Sequence, residues 1–171
     1  QKVESYASVP QMSSQIIKDE VVRRVKVYDE YKYKFILINF ANPDMLGHTG
    51  NYDATVRGNE IVDSLTAEIS KTVLSMGGAM VITADHGNCE TMINRVTKEV
   101  DIAHTNNPVP LILLSSIENI TQKPGTNLIK IGTGTHAQTT GLLADVAPTC
   151  LGILGLDSPE SMTGIDLRNV I

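Results

Sequence analysis

The chain has 171 residues, a formal net charge of −5 and no basic block, which argues against a general nucleic-acid binder and allows one domain with a sizeable core. Hydrophobic residues make up 42% of it, a globular rather than disordered composition. The longest apolar runs, FILI and VPLILL, fall far short of a membrane span. Cys89 and Cys150 do not amount to a disulfide framework, so a reducing, cytoplasmic setting fits. No signal peptide is visible, and the first residue is Gln1 rather than Met. The acidic balance does not exclude an anionic small substrate, because bound divalent metals supply positive charge locally.

In chain order, SSQIIKDEVVRRVKVY (13–28) carries apolar residues at 16, 17, 21 and 25, the spacing of a helix, with Ser13 or Ser14 as its cap. KFILINF (34–40) is a short apolar run of strand type, followed by the turn-rich loop ANPDMLGHTG. Residues 52–76 place Ile61, Leu65, Ile69 and Val73 four apart, and Gly77-Gly78 ends that helix. AMVIT (79–83) is a second buried strand, VPLILLS (109–115) a third and LIKIG (128–132) a fourth. DVAPTCLGILG (145–155) reads as a helix with Asp145 at its cap, Pro148 in its first turn and Gly155 at its end. Continuous apolar strands separated by helices predict an α/β fold, a mainly parallel sheet flanked by helices.

In such sheets ligands bind beyond the carboxyl ends of the strands, and the polar residues gather there. Asp44 and His48 follow strand 34–40, Asp85 and His86 follow strand 79–83, and His104 precedes strand 109–115. Uncompensated buried charge is costly, so an Asp-His pair at a strand end calls for a partner. Imidazole and carboxylate are usual ligands of divalent metals, and these five groups suffice for most of a two-metal site, which suits phosphoryl transfer. Spacing alone leaves the other reading open: loop histidines are often hydrogen-bonded surface groups, and Asn-Pro-Asp is also ordinary turn chemistry. Asn42 and Asn88 flank the loops, either orienting ligands or serving the turns.

Three motifs, NFANPDMLGHTG, ITADHGNCE and AHTNNPVP, resemble those of cofactor-independent phosphoglycerate mutases of the alkaline phosphatase superfamily. The opening QKVESYASVPQMSS and the tail LADVAPTCLGILGLDSPESMTGIDL resemble the same family in the same order. The resemblance implies an alkaline-phosphatase-like fold, incomplete in this chain, with residues 1–171 corresponding to the C-terminal part of the metal-binding domain. It implies that Asp44, His48 and His104 hold one divalent ion and Asp85 and His86 a second. The ion is usually manganese, with magnesium, cobalt or zinc as alternatives. Lys2 matches a lysine near the reacting phosphate. The implied reaction interconverts 3-phosphoglycerate and 2-phosphoglycerate through a phosphoserine, in a cytoplasmic, monomeric glycolytic enzyme with no nucleic-acid or membrane partner.

The departures matter as much. No segment resembles the family's nucleophilic serine with its metal-binding aspartate, or its inserted substrate domain, so the chain by itself is expected to be inactive. Cys89 stands where the family often has alanine. With His86 it makes a weak zinc pair, and a small buried residue is the better reading. His136 reads as a surface-loop residue. Two rival readings remain: a metal-dependent phosphatase or phosphodiesterase of the same superfamily, and a non-catalytic relic of the metal site.

Overall fold

The computed structural model describes residues 5–27, 33–117 and 141–169. They divide into two compact units: residues up to Thr72 with His86–Asn107, and Val73–Asp85 with the residues from Pro108 onward. Lys2, His136 and the expected strand 128–132 lie outside the described residues.

In the first unit, helix α1 spans Ser14–Lys26. Its expected side-chain cap is not made: Ser13 forms no capping bond, and Ser14 Oγ instead donates to the Gln11 carbonyl at 2.6 Å. Val21 is buried while Ile16 is exposed, so the apolar stripe is narrower than its spacing suggests. The short helix α2, Asn42–Gly47, has a proline in its first turn, where a missing N–H costs nothing. It is anchored by Leu46, which is fully buried, and by Asn42 Nδ2, which donates to the Pro10 carbonyl at 2.7 Å. Asn42 is thus engaged in packing this helix onto the Pro10 segment. Helix α3, Tyr52–Ser75, opens on Asn51, whose Oδ1 accepts from Ala54 N–H at 2.9 Å. Its Ala54, Leu65 and Ile69 are buried.

The run 34–40 is not a strand. Its side chains do alternate, with Ile36, Ile38 and Phe40 half-buried and Phe35, Leu37 and Asn39 exposed. A strand, however, is defined by a partner for its backbone groups, and no ladder to this run exists among the described residues. The periodicity was legible; the pairing was not.

In the second unit, α3 stops at Gly77, whose φ of 78° is cheap only without a Cβ. The Gly78 N–H closes the end onto the Val73 carbonyl at 3.0 Å. Strands β1, Ala79–Thr83, and β2, Leu111–Ser115, pair antiparallel with Thr83 opposite Leu111. The expectation of a mainly parallel sheet is thus not met by the two described strands. A parallel return needs a crossover, usually a helix, and residues 84–110 contain none. They leave the end of β1 and come back to the start of β2 beside it.

Helix α4, Val146–Ile153, follows a single 3-10 turn, Leu143–Asp145. Asp145 is buried but does not cap α4. Its carboxylate accepts from Leu142 N–H at 2.7 Å and Ile165 N–H at 2.8 Å, so it anchors the tail. Thr149 continues that anchor: its hydroxyl donates to the Asp145 carbonyl and accepts from Leu167 N–H at 2.9 Å. No helix among the described residues is long and apolar enough to cross a membrane.

Candidate metal centre

Helix α2 places Asp44 in its first turn and His48 just past its end. Four residues is one helical turn, so both side chains lie on one face. His48 Nε2 stands 3.2 Å from Asp44 Oδ1. His104, 56 residues further on, completes the group: its Nε2 is 3.1 Å from His48 Nε2 and 3.1 Å from Asp44 Oδ1. Three potential ligand atoms thus form a nearly equilateral triangle.

The His48 ring is oriented by its other nitrogen. Nδ1 lies 2.7 Å from the Ile102 carbonyl oxygen. A carbonyl only accepts, so Nδ1 carries a proton, and in the neutral ring Nε2 turns a lone pair toward Asp44. An anionic oxygen and an imidazole lone pair at that separation repel each other unless positive charge lies near both. One proton bridges one edge of the triangle; a divalent cation serves all three. Ligand bonds of about 2.0–2.2 Å are usual for nitrogen and carboxylate oxygen on such ions, and ligand atoms around an ion at that distance stand about 3.0–3.4 Å apart. Two imidazoles and a carboxylate also form a donor set that first-row divalent metals accept. The residues present therefore fit a divalent cation.

His86 reaches the same place from the other loop. Its ring stacks on His104 at 3.7 Å between centroids and 16° between planes. Ligand atoms of Asp44, His86 and His104 all lie within 4.8 Å of one another. Asp85 precedes His86 directly but belongs to the second unit. Of the expected set, Asp44, His48, His86 and His104 are gathered; Lys2 is outside the described residues.

Around the four, a hydrogen-bonded shell was only partly foreseen. Asn88, buried, donates from Nδ2 to Asp44 Oδ1 at 3.1 Å, as its position beside the loop suggested. Gly47 lets it sit there, because a Cβ on that residue would meet the Asn88 amide oxygen. Glu90, Thr105 and Asn107 were missed. Glu90 accepts from Asn88 N–H at 2.7 Å, from Asn107 Nδ2 at 3.0 Å and from the Thr105 hydroxyl. The available signal was a carboxylate four residues after His86, and nothing local tells such a glutamate from a solvated one. Cys89 is half-buried and burial pushes its thiol up, with the Asn59 amide acting the other way and weaker. In the metal-free chain it therefore stands as a thiol. Beside it Tyr52, Glu90, Met92 and Arg95 line a cavity of about 220 Å³.

Residues 1–158 match a family profile described as the metalloenzyme superfamily. A 2,3-bisphosphoglycerate-independent phosphoglycerate mutase of Vesicomyosocius okutanii is 42% identical over 165 residues, which is 96% of this chain and 29% of that protein. One from Clostridium perfringens is 41% identical over 168 residues, 98% of this chain and 30% of that protein. The crystal structure of Leishmania mexicana phosphoglycerate mutase at low cobalt concentration matches with a TM-score of 0.77 and 28% identity, over 97% of this chain and 30% of that one. The chain thus spans about three-tenths of the length of these curated relatives. The match to the Leishmania structure, with the metalloenzyme profile, agrees with the alkaline-phosphatase-like fold that the resemblance implies.

Proposed function

Because the chain belongs to the metalloenzyme superfamily, we propose that it is the metal-holding portion of a 2,3-bisphosphoglycerate-independent phosphoglycerate mutase. The observation that carries this reading is the triangle of Asp44 Oδ1, His48 Nε2 and His104 Nε2, with edges of 3.1–3.2 Å. In this reading Asp44, His48 and His104 hold one divalent ion, and Asp85 and His86 hold a second, manganese in both. Bound divalent ions supply charge that offsets the phosphoryl oxygens and lowers the pKa of a nucleophile.

The chain's own residues do the rest. His48 is kept in its ligand tautomer by the Ile102 carbonyl, and Asn88 orients Asp44. Lys2 steadies the transferred phosphoryl group. The nucleophilic serine comes from outside these 171 residues. It takes the phosphoryl group from 3-phosphoglycerate and returns it to the other hydroxyl as 2-phosphoglycerate, with water excluded so that the phosphoserine is not hydrolysed. The enzyme so described is a cytoplasmic, monomeric enzyme of glycolysis, with phosphoglycerate as its partner.

Two assays test the reading. This chain, titrated with Mn2+, should bind it, and H104A should abolish most of that binding. In the longer enzyme H104A should abolish mutase turnover, whereas this chain alone should convert no 3-phosphoglycerate. Near-normal turnover of H104A would remove His104 from its role. Conversion by the chain alone would overturn the outside nucleophile.

A further inference from the structure

We propose that Glu90 is the positioning residue that holds the three ligand-bearing segments together, a role that rests on the metal reading above. Its carboxylate is met by donors from two loops. Oε2 accepts from the Asn88 backbone N–H at 2.7 Å. Oε1 accepts from Asn107 Nδ2 at 3.0 Å and from the Thr105 hydroxyl. Thr105 directly follows His104. Asn88 lies two residues past His86, and its amide reaches Asp44 on α2 at 3.1 Å. One side chain therefore links the loop of His86 to the segment of His104 and, through Asn88, to the helix of Asp44. A backbone bond runs beside it, from Thr105 N–H to the Gly87 carbonyl at 2.8 Å.

The chemistry calls for a carboxylate. Three donors converge on two oxygens, and an ionised carboxylate is acceptor-only. Glutamine of the same shape turns an NH2 group against at least one of those donors. Burial alone would raise the Glu90 carboxyl, but Thr105, Asn107 and the backbone N–H groups outweigh it and hold it below its ordinary range. The group is thus an anion at neutral pH.

The test is Mn2+ affinity of this chain, with the metal-free melting temperature measured alongside, for wild type, E90Q, T105V, T105S and V96A. Val96 is an exposed loop residue and serves as the control. E90Q and T105V should weaken Mn2+ binding about 10–100-fold, the usual cost of losing a group that orients a ligand. T105S, which keeps the hydroxyl, should restore it, and V96A should match wild type. A merely structural Glu90 would lower the metal-free melting temperature and leave affinity untouched wherever both proteins are folded. Folded E90Q binding Mn2+ like wild type overturns the proposal. Should E90Q not fold, T105V carries the same two outcomes. A wild type that binds no Mn2+ overturns the metal reading itself, whereas binding unchanged across all variants overturns only the part given to Glu90.

Discussion

His48 Nδ1 meets the Ile102 carbonyl at 2.7 Å, across 54 residues of chain, and that bond decides which nitrogen faces Asp44. A neutral ring held from behind presents a lone pair in front. Ring nitrogen chemical shifts check this: in the metal-free chain, Nδ1 of His48 should be the proton-bearing nitrogen and Nε2 the bare one. Adding Zn2+ should move Nε2 and leave Nδ1 bonded as before. A proton found on Nε2 would remove the argument for a cation inside the triangle.

Removing a ligand should cost more than removing a group that merely orients one. D44N and H48A should each weaken Mn2+ binding beyond the roughly 10–100-fold typical of orienting partners. Competition against a fluorescent chelator reads this directly. A smaller loss would mean that the residue stands beside the ion and does not hold it.

Gly47 and Asn88 are packed so closely that a methyl group on one must displace the other. G47A should therefore destabilise the chain by about 1–3 kcal/mol, the usual cost of overpacking, and weaken Mn2+ binding because Asn88 loses its hold on Asp44. N88A should also lower affinity. The double variant G47A/N88A should be less destabilised than the sum of the two, since the clash disappears with the amide. Additive effects in urea denaturation would show that the two residues do not share the space.

The second unit carries a titratable anchor. Asp166 accepts from Arg168 Nε at 2.8 Å and Nη2 at 2.6 Å. Burial pushes its carboxyl up, yet the Arg168 bonds prevail and leave it below the ordinary value of 3.8. A depressed carboxyl stabilises the fold above its unfolded value and loses that contribution as pH falls through the folded one. D166N should thus cost about 1–2 kcal/mol at neutral pH, and the gap from wild type should close as pH is lowered below 3.8. A gap of constant size down to the acid limit would count against the ion pair.

Both thiols are half-buried, and burial pushes each above its ordinary value. Alkylation of the native chain at neutral pH should be slower at Cys89 and Cys150 than in the urea-unfolded chain, since the thiolate is the reactive form. Mass-resolved labelling would separate the two sites. A fast-reacting Cys89 would reopen its candidacy as a metal ligand.

Most helices were legible because their signals are local. The i, i+4 stripe of α3 and its closing glycines lie within one stretch of chain, and so do the apolar residues of β1. The run 34–40 shows the limit of that logic. Its alternation is a property of the stretch itself, while pairing depends on a second stretch. Caps failed for a related reason. Ser14 and Asp145 both have the chemistry of a cap, but their side chains bond to Gln11 and to Leu142 and Ile165 instead.

By itself, the sequence determined the donor types of the candidate metal centre and their places beyond apolar runs, because both are read residue by residue. It also placed Asp44 and His48 four residues apart, in a stretch that reads as a loop; that the stretch is helix α2, whose turn brings the two together, was decided by the structure. Only the tertiary structure decided that His104 closes the triangle from 56 residues away, that His86 stacks on it, that β1 and β2 run antiparallel and that Glu90 links the loops. Such meetings depend on where the chain returns after folding, and a hydrogen bond or ligand distance near 3 Å leaves no local trace in the residues it joins.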